Sequence, residues 1–235
     1  MGSFQLAKEV FDKLPTYYVG VVIAEELNNQ SPIEEIGRQL DAAAQSFSEE
    51  FKDINVKEDP RIVPYRDAFR KLQINPNKFM CSIESLAKRA QKKGALPHIN
   101  PAVDLGNAVS LENCIPIGAH NIDAFENAEM EVRFALEDDA FQPMGTEDHE
   151  KPDAGELVYV SGHTVKTRRW TWRQSEDGKI TEETRNILYP LDGFTDINLP
   201  KVMQAQQELQ KRLEALFRCK TYSGFIDKDH RSFSW

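Results

Sequence analysis

The chain has 235 residues, 40% hydrophobic and 29% charged, with a formal net charge of −9. With a mean hydropathy of −0.55, it reads as a soluble chain long enough to bury a core, and nonspecific nucleic-acid binding over its whole surface is excluded, though a local basic patch is not. The three cysteines, Cys81, Cys114 and Cys219, form no Cys-x-x-Cys pair, so neither a disulfide framework nor a zinc ribbon is expected, and they read as reduced thiols of a cytoplasmic protein.

The opening MGSFQLAKEVFDKLP has no basic region and no continuous apolar stretch, so no signal peptide is expected. Met1-Gly2-Ser3 begins like a myristoylation motif, but Leu6 stands where Ser or Thr is needed. No run approaches the ~18 apolar residues of a membrane span. Tyr17-Tyr18-Val19-Gly20-Val21-Val22-Ile23 reads as a buried strand. Ser31-Pro32-Ile33-Glu34 reads as a capping box with proline at the first helical position. Ile33, Ile36, Leu40, Ala44, Phe47 and Phe51 then mark one helical stripe. A second helix is expected over 64–72, stopped by Asn75-Pro76. A third runs from Ser82 to Lys92-Lys93-Gly94, where basic residues and a glycine end it.

The character changes after Leu96-Pro97. Asn100-Pro101 opens a short helix through about Val109. Met130, Val132 and Phe134 alternate with charged residues, as on a half-buried strand. Further strands are expected at 157–160, 165–173 and 186–191, with Asp177-Gly178 as a hairpin-type turn between the last two. Residues 137–154 read as an acidic loop, 201–217 as a helix and 222–226 as a strand, followed by a polar and mobile tail on which Trp235 alone would dock. The order predicts an α+β fold, a mixed or antiparallel sheet with flanking helices. Residues 1–96 would form a strand and helical part and 97–235 a sheet-rich core, integrated into one domain over 10–226.

Two segments invite chemistry. Residues 165–173 hold four basic residues and two tryptophans and no acid. As a strand they would place Lys166, Arg168, Trp170 and Trp172 on one face and Thr167, Arg169 and Arg173 on the other. Guanidinium groups beside aromatic planes suit phosphate and base recognition, or else a structural tryptophan pair with solvated arginines. In the second segment, Asp104 and Asn107 lie three apart on a helix and share a face. They would contact substrate or a catalytic water, or clamp the neighbouring loop. Gly118, in Pro116-Ile117-Gly118-Ala119, permits close approach of a ligand or forms a plain turn. Asp148, His149 and Glu150 read as a solvated loop rather than metal ligands. No phosphate-binding loop, nucleophile elbow or zinc motif is present in the sequence.

At these residues the chain resembles a known family. LPHINPAVDLGNAVSLENCIPIGAHNID is similar to the editing domain of the phenylalanyl-tRNA synthetase β subunit, with its Val-Asp-x-x-Asn helix and Pro-x-x-Ala loop. The likeness is nearer to freestanding bacterial relatives known as tRNA-binding domain proteins. It includes YRDAFRKLQINPNKF, SIESLAKR, Ala154-Gly155-Glu156, the Arg-Arg-Trp-x-Trp-Arg-Gln-Ser run at 168–175 and Thr184-Arg185-Asn186. It extends over residues 10–217. The resemblance implies an editing-type fold and a trans-acting hydrolase that deacylates misacylated tRNA at its 3′-terminal adenosine. It implies Asn107 and Arg173 as catalytic groups. Asp104, Gly118, His120, Glu156, Arg169, Trp170 and Trp172 would bind substrate, and Lys166 and Arg168 the tRNA backbone. No metal or cofactor is implied; the partner would be the aminoacylated 3′ end of tRNA, with no membrane and a cytoplasmic location. The chain departs from the family at Gly118, where the synthetase has a histidine, at His120-Asn121, and at Pro190, near which the synthetase pocket has a glutamate; the nearest acid here is Asp192. These departures leave open a noncatalytic tRNA- or RNA-binding module and a protein that binds an amino acid or nucleotide.

Overall fold

In the computed structural model, which describes residues 2–30 and 32–235, helices and strands follow in the order β1 (Ser3–Leu6), α1 (Lys8–Lys13), β2 (Tyr17–Glu25), α2 (Glu34–Glu50), α3 (Val63–Lys71), α4 (Ser82–Lys93) and α5 (Pro101–Asn113). Next come β3 (His120–Asn121), β4 (Glu129–Phe134), β5 (Leu157–Ser161), β6 (Thr164–Arg168), β7 (Arg173–Gln174), β8 (Ile187–Phe194), α6 (Leu199–Phe217), β9 (Lys220–Ile226) and β10 (Ser232–Ser234). The fold is α+β. One sheet runs β10-β1-β4-β5-β6-β7 and the other β3-β8-β2-β9. The first is mixed, since β1 and β4 are parallel and the other pairs antiparallel.

β2 and β8 are buried on both faces, and this matches their nearly unbroken apolar sequences. They pair antiparallel from Tyr17↔Phe194 to Ala24↔Ile187. α5 lies against α2 and α6, and its low polarity reflects burial almost all round. Asn100 caps it by accepting from Val103 N at 3.1 Å, and Pro101 occupies the first turn, where no N–H is required. α4 ends at Gly94, whose φ of 65° is left-handed. A buried ion pair fixes α3 to α4, with Arg66 Nη1 at 2.8 and 2.9 Å from the two Glu84 carboxylate oxygens. One hydrophobic cluster contains Phe47 and Phe69 together with Trp170 and Phe194, so residues on either side of Leu96-Pro97 share a core.

Several expected elements differ. The strand expected over 165–173 ends at Arg168, because Arg169 and Trp170 take left-handed φ values of 47° and 59°. The chain turns back, and β7 pairs antiparallel with β6 (Arg168↔Arg173). Face alternation therefore fails beyond Arg168, and Trp170 enters the core. Asp177-Gly178 does not join a hairpin, since β6 and β7 belong to one sheet and β8 to the other. α5 extends to Asn113, four residues past its expected end, before Cys114 takes a left-handed φ of 53°. α2 starts at Glu34 with Ile33 flanking it, so Pro32 precedes the helix; Ser31 of the expected capping box lies outside the described residues. The polar tail is not loose: β10 pairs with β1, and Gly2 and Trp235 exchange backbone hydrogen bonds of 3.0 and 3.1 Å. β1 and α1 had no expectation in the sequence.

Candidate functional site

A cavity of about 440 Å³ opens between α4, α5, β8 and the reversal that joins β6 to β7. α5 contributes Val103, Gly106 and Asn107, and α4 contributes Ser82, Ser85, Leu86 and Arg89. The loop after α5 is stitched onto β8. Gly118 N donates to Pro190 O at 3.0 Å and Asp192 N to Pro116 O at 3.0 Å. This docking brings Gly118 and His120 beside Pro190 and Asp192. A Cβ at Gly118 would lie 3.1 Å from the Pro190 ring and 3.3 Å from His120 Nε2, so the close approach leaves little room for a side chain.

The 168–173 segment forms the facing wall, and its shape is imposed by Glu156. That buried carboxylate accepts from Arg168 Nε at 3.0 Å, Arg168 Nη2 at 2.8 Å and the Arg169 backbone N–H at 2.8 Å. Trp170 N donates to Leu157 O, and Ser82 N donates to Thr171 O at 2.8 Å. Two successive non-glycine residues in the left-handed region cost about 1–3 kcal/mol each and persist only where surrounding bonds hold them. Here Glu156 and the Leu157 and Ser82 backbones do so. Trp170 is thereby turned inward, fully buried against the rings of Tyr17, Tyr65, Phe69 and Phe194, while Thr171, Trp172, Arg173 and Gln174 line the cavity.

The inner end is a hydrogen-bonded acid. Asp192, 2% exposed, accepts at Oδ1 from the Tyr17 hydroxyl, the Tyr159 hydroxyl at 2.5 Å and the Trp170 indole N–H at 3.2 Å. Burial pushes its carboxyl up to about 6, against the opposing pull of those donors. Burial, and then the Asp192 charge, also holds the Tyr17 and Tyr159 phenols well above their ordinary value. His120 is 2% exposed and its ring lies parallel to that of Tyr159, at 5.6 Å. Burial, aided by the Lys166 charge, pushes it down to about 3, so the imidazole is neutral. His120 Nδ1 and Thr171 Oγ1 are buried with no hydrogen-bond partner among the described residues.

The mouth is different. Arg89 and Arg173 are exposed, and neither forms a salt bridge among the described residues. Of the residues expected at a site, Asn107, Gly118, His120, Trp170, Trp172 and Arg173 meet at this cavity. Asp104 and Asn107 do not act on one space. Asp104 accepts from Ile99 N at 2.8 Å, pairs with His98 at 3.1 Å and lines a second cavity, of about 330 Å³. It clamps the loop before α5. Glu156, Arg169, Lys166 and Arg168 also lie off the cavity. Arg169 sits over Phe79 and Trp172 at 4.0 and 4.8 Å and pairs with Asp153. Lys166, 1% exposed, is held by Ala124 O and Asp177. Arg168 is bound by Glu156 and Glu150. Neither is presented to solvent as a backbone-binding cation would be.

Asp192, Tyr159, Tyr17 and Thr171 complete the inner end. The signal for Asp192 is an acid within the otherwise apolar run Ile187–Phe194; nothing in the sequence pairs it with Tyr17, 175 positions away, or with Tyr159, 33 positions away. Cys114 is buried, with its thiol pushed up to about 11 by burial, and does not line the cavity. Among the described residues no cluster of three or more His, Cys, Asp or Glu is placed to hold a metal, and no helix is long and apolar enough to cross a membrane.

No curated protein matches the chain. A solved structure similar to it is an N-terminal fragment of the phenylalanyl-tRNA synthetase β subunit from Pyrococcus horikoshii, at 11% identity and a TM-score of 0.49, with 95% of this chain and 53% of that one covered. The chain thus spans about half the length of that fragment. The family model described as B3/4 domain matches residues 64–220, two-thirds of the chain. That stretch runs from α3 to the first residue of β9 and contains every residue that lines the cavity, and the chain belongs to the B3/4 domain family, that of the phenylalanyl-tRNA synthetase β subunit.

Proposed function

We propose that this protein is a trans-acting hydrolase of misacylated aminoacyl-tRNA. The observation that carries the reading is the cavity itself. Among the described residues, it joins exposed arginines without a salt-bridge partner at its mouth to a single buried carboxylate and a neutral imidazole at its inner end. The arginines suit the phosphates that flank a 3′-terminal adenosine. The inner end, largely enclosed and lined by aromatic rings, suits an amino acid. Water attacks the ester carbonyl carbon, the bond to the ribose oxygen breaks, and the products are a free amino acid and the tRNA hydroxyl. Asn107, on the rigid α5, has a side-chain amide fit to hold the developing oxyanion or to orient water. Asp192 is the only carboxylate that lines the cavity among the described residues, and its Oδ1 is already engaged by three donors. Its second oxygen is the acceptor for the water proton. Arg173 binds the substrate's terminal phosphate.

The test is deacylation of mischarged tRNAs. Asn107→Ala lowers kcat by about 100-fold with unchanged folding, the usual loss for one oxyanion donor. Wild-type turnover rises with pH through about 6, as Asp192 ionises, and Asp192→Asn removes that inflection. Unchanged turnover in both variants contradicts this use of the cavity. A second reading, a binding protein for an amino acid or nucleotide, is favoured by the small number of free cations near the site in a chain of net charge −9. It predicts a ligand-induced rise in Tm and no affinity for tRNA.

A further inference from the structure

Lys166 and Arg168, the cations that the sequence offered for a nucleic-acid backbone, are sealed inside the protein, so a strand that leaves the cavity needs others. α4 carries them. Ser82, Ser85, Leu86 and Arg89 line the cavity, and Lys92 and Lys93 follow three and four positions after Arg89. At about 3.6 residues per turn these six residues form one continuous face of the helix. The rotation of α4 is fixed from its other side, where Ile83, Ala87 and Ala90 are 0% exposed and Gln91 Nε2 donates to Ile54 O at 2.7 Å. Arg89, Lys92 and Lys93 are exposed, and none has a salt-bridge partner among the described residues. The one carboxylate of α4, Glu84, points inward, 0% exposed, and is taken by Arg66 and Lys88. A chain of net charge −9 thus carries a basic, acid-free helix face that starts inside its largest cavity.

We infer that α4 is the track along which a single RNA strand leaves the cavity, with the 3′-terminal nucleotide at the Ser82 end and upstream phosphates on Arg89 and then on Lys92 and Lys93. This deepens the hydrolase reading and rests on it for the place of the 3′ terminus. The polarity follows from the ester, which has to reach Asn107 and Asp192; the rest of the strand then exits 5′-ward along the helix. From Ser82 to Lys93 the axis runs roughly 16 Å at about 1.5 Å per residue. A stacked strand rises about 3.4 Å per phosphate, so the track holds about five of them. Trp172 and Arg173, on the facing wall, supply an aromatic plane and a cation for the terminal nucleotide. Lys92 and Lys93 also offset the negative end of the helix dipole, so an anion is accepted at both ends of α4. An acidic protein is the poorer match. Leu86 is the one large apolar residue on this face, and protein interfaces are anchored by buried aromatic and apolar groups. A line of cations that begins at a cavity suits a linear polyanion with one end inside.

The test measures binding of 5′-labelled single-stranded RNAs, one to eight nucleotides long and ending in a 3′ adenosine, to the full chain at several salt concentrations. Affinity should climb with length to about five nucleotides and then level off. The double variant Lys92→Ala, Lys93→Ala should bind the longest RNA about tenfold or more weaker, and its salt slope should fall by about 1.4, at about 0.7 per phosphate contact of a single strand. Alanine preserves an exposed helix, and circular dichroism checks that the variant is folded. Lys201→Ala with Lys211→Ala removes the same charge from the exposed face of α6 and should leave the affinity as it was. Affinity independent of length, or equal losses in the two double variants, overturns the track. So does a polyglutamate peptide of equal charge that binds as tightly as the RNA, since the face would then suit an acidic protein. A bulky dye at the 3′ end should weaken binding at least about tenfold relative to the same dye at the 5′ end; the opposite order overturns the polarity. Ester turnover is read separately. If mischarged tRNA is deacylated while RNA binding ignores Lys92 and Lys93, the hydrolase reading stands and the track falls. If the strand binds as described and no ester is cleaved, the reverse holds.

Discussion

Arg168 and Arg173 face each other across β6 and β7, yet they have opposite fates. Arg168 is buried, with Glu156 and Glu150 on its guanidinium; Arg173 is exposed at the cavity mouth with no carboxylate on it among the described residues. The same contrast runs through the whole cavity. At the inner end, Tyr17, Tyr159 and Trp170 engage only one oxygen of Asp192, whereas Glu156 and Lys166 are spent on shaping the wall. At the mouth, Arg89 and Arg173 have no salt-bridge partner among the described residues. A charge that the fold has already paired is part of the scaffold, and one that it has left alone is available to a ligand. Composition cannot make this distinction. Four basic residues in one run looked alike in sequence, and only one of them lines the cavity.

The largest test of that contrast lies at the inner end. His120 is depressed from 6.5 to about 3, so its neutral form belongs to the folded state. Its contribution is fully present above pH 6.5 and is lost as pH falls toward 3, a change on the order of 5 kcal/mol at about 1.36 kcal/mol per pH unit. Asp192 works in the opposite sense: raised from 3.8 to about 6, it favours folding below pH 3.8 and loses that contribution as pH rises to 6, on the order of 3 kcal/mol. Urea unfolding of His120→Phe between pH 3.5 and 7 should therefore show the acid-side loss removed; a stability curve parallel to the wild type's would break the argument. Next comes the scaffold. Glu156→Ala strands Arg168 and releases the left-handed turn, and a loss of about 3–5 kcal/mol is expected from denaturant midpoints. A loss below 1 kcal/mol would mean that the turn holds itself. The smallest effect concerns the mouth. Arg173→Ala should weaken tRNA binding by about 3- to 10-fold and reduce the salt slope by about 1. Lys166→Met should change neither, and instead cost about 1–3 kcal/mol of stability through its unmet partners. Equal effects of the two on binding would erase the distinction between paired and free cations.

Much of the fold was legible because its signals are local. Asn100-Pro101 starts α5, Gly94 ends α4, and the apolar stripe of α2 is buried as expected. The cavity was legible in part. Asn107, Gly118, His120, Trp170, Trp172 and Arg173 lie together: Asn107 stood out as a polar residue in an apolar run, Gly118 as a glycine among small and apolar residues, Trp170, Trp172 and Arg173 as part of a basic and aromatic run, and His120 only through the family resemblance. The turn at Arg169-Trp170 was not legible. Arginine and tryptophan have no preference for left-handed φ; the conformation comes from Glu156, 13 residues away in sequence, and from the backbone of Leu157. Asp104 was misplaced because a shared helix face is broad enough to touch two different cavities. β10 was missed because its pairing partner is the opposite end of the chain, and short polar strands carry no periodicity of their own.

The account stands most directly on deacylation of a panel of mischarged tRNAs by the wild-type protein and by Asn107→Ala, with uncharged tRNA binding measured alongside. Release of the amino acid from at least one species, reduced about 100-fold in the variant while tRNA still binds, is the predicted result. Binding of tRNA without release from any species, or release that Asn107→Ala leaves unchanged, would contradict it.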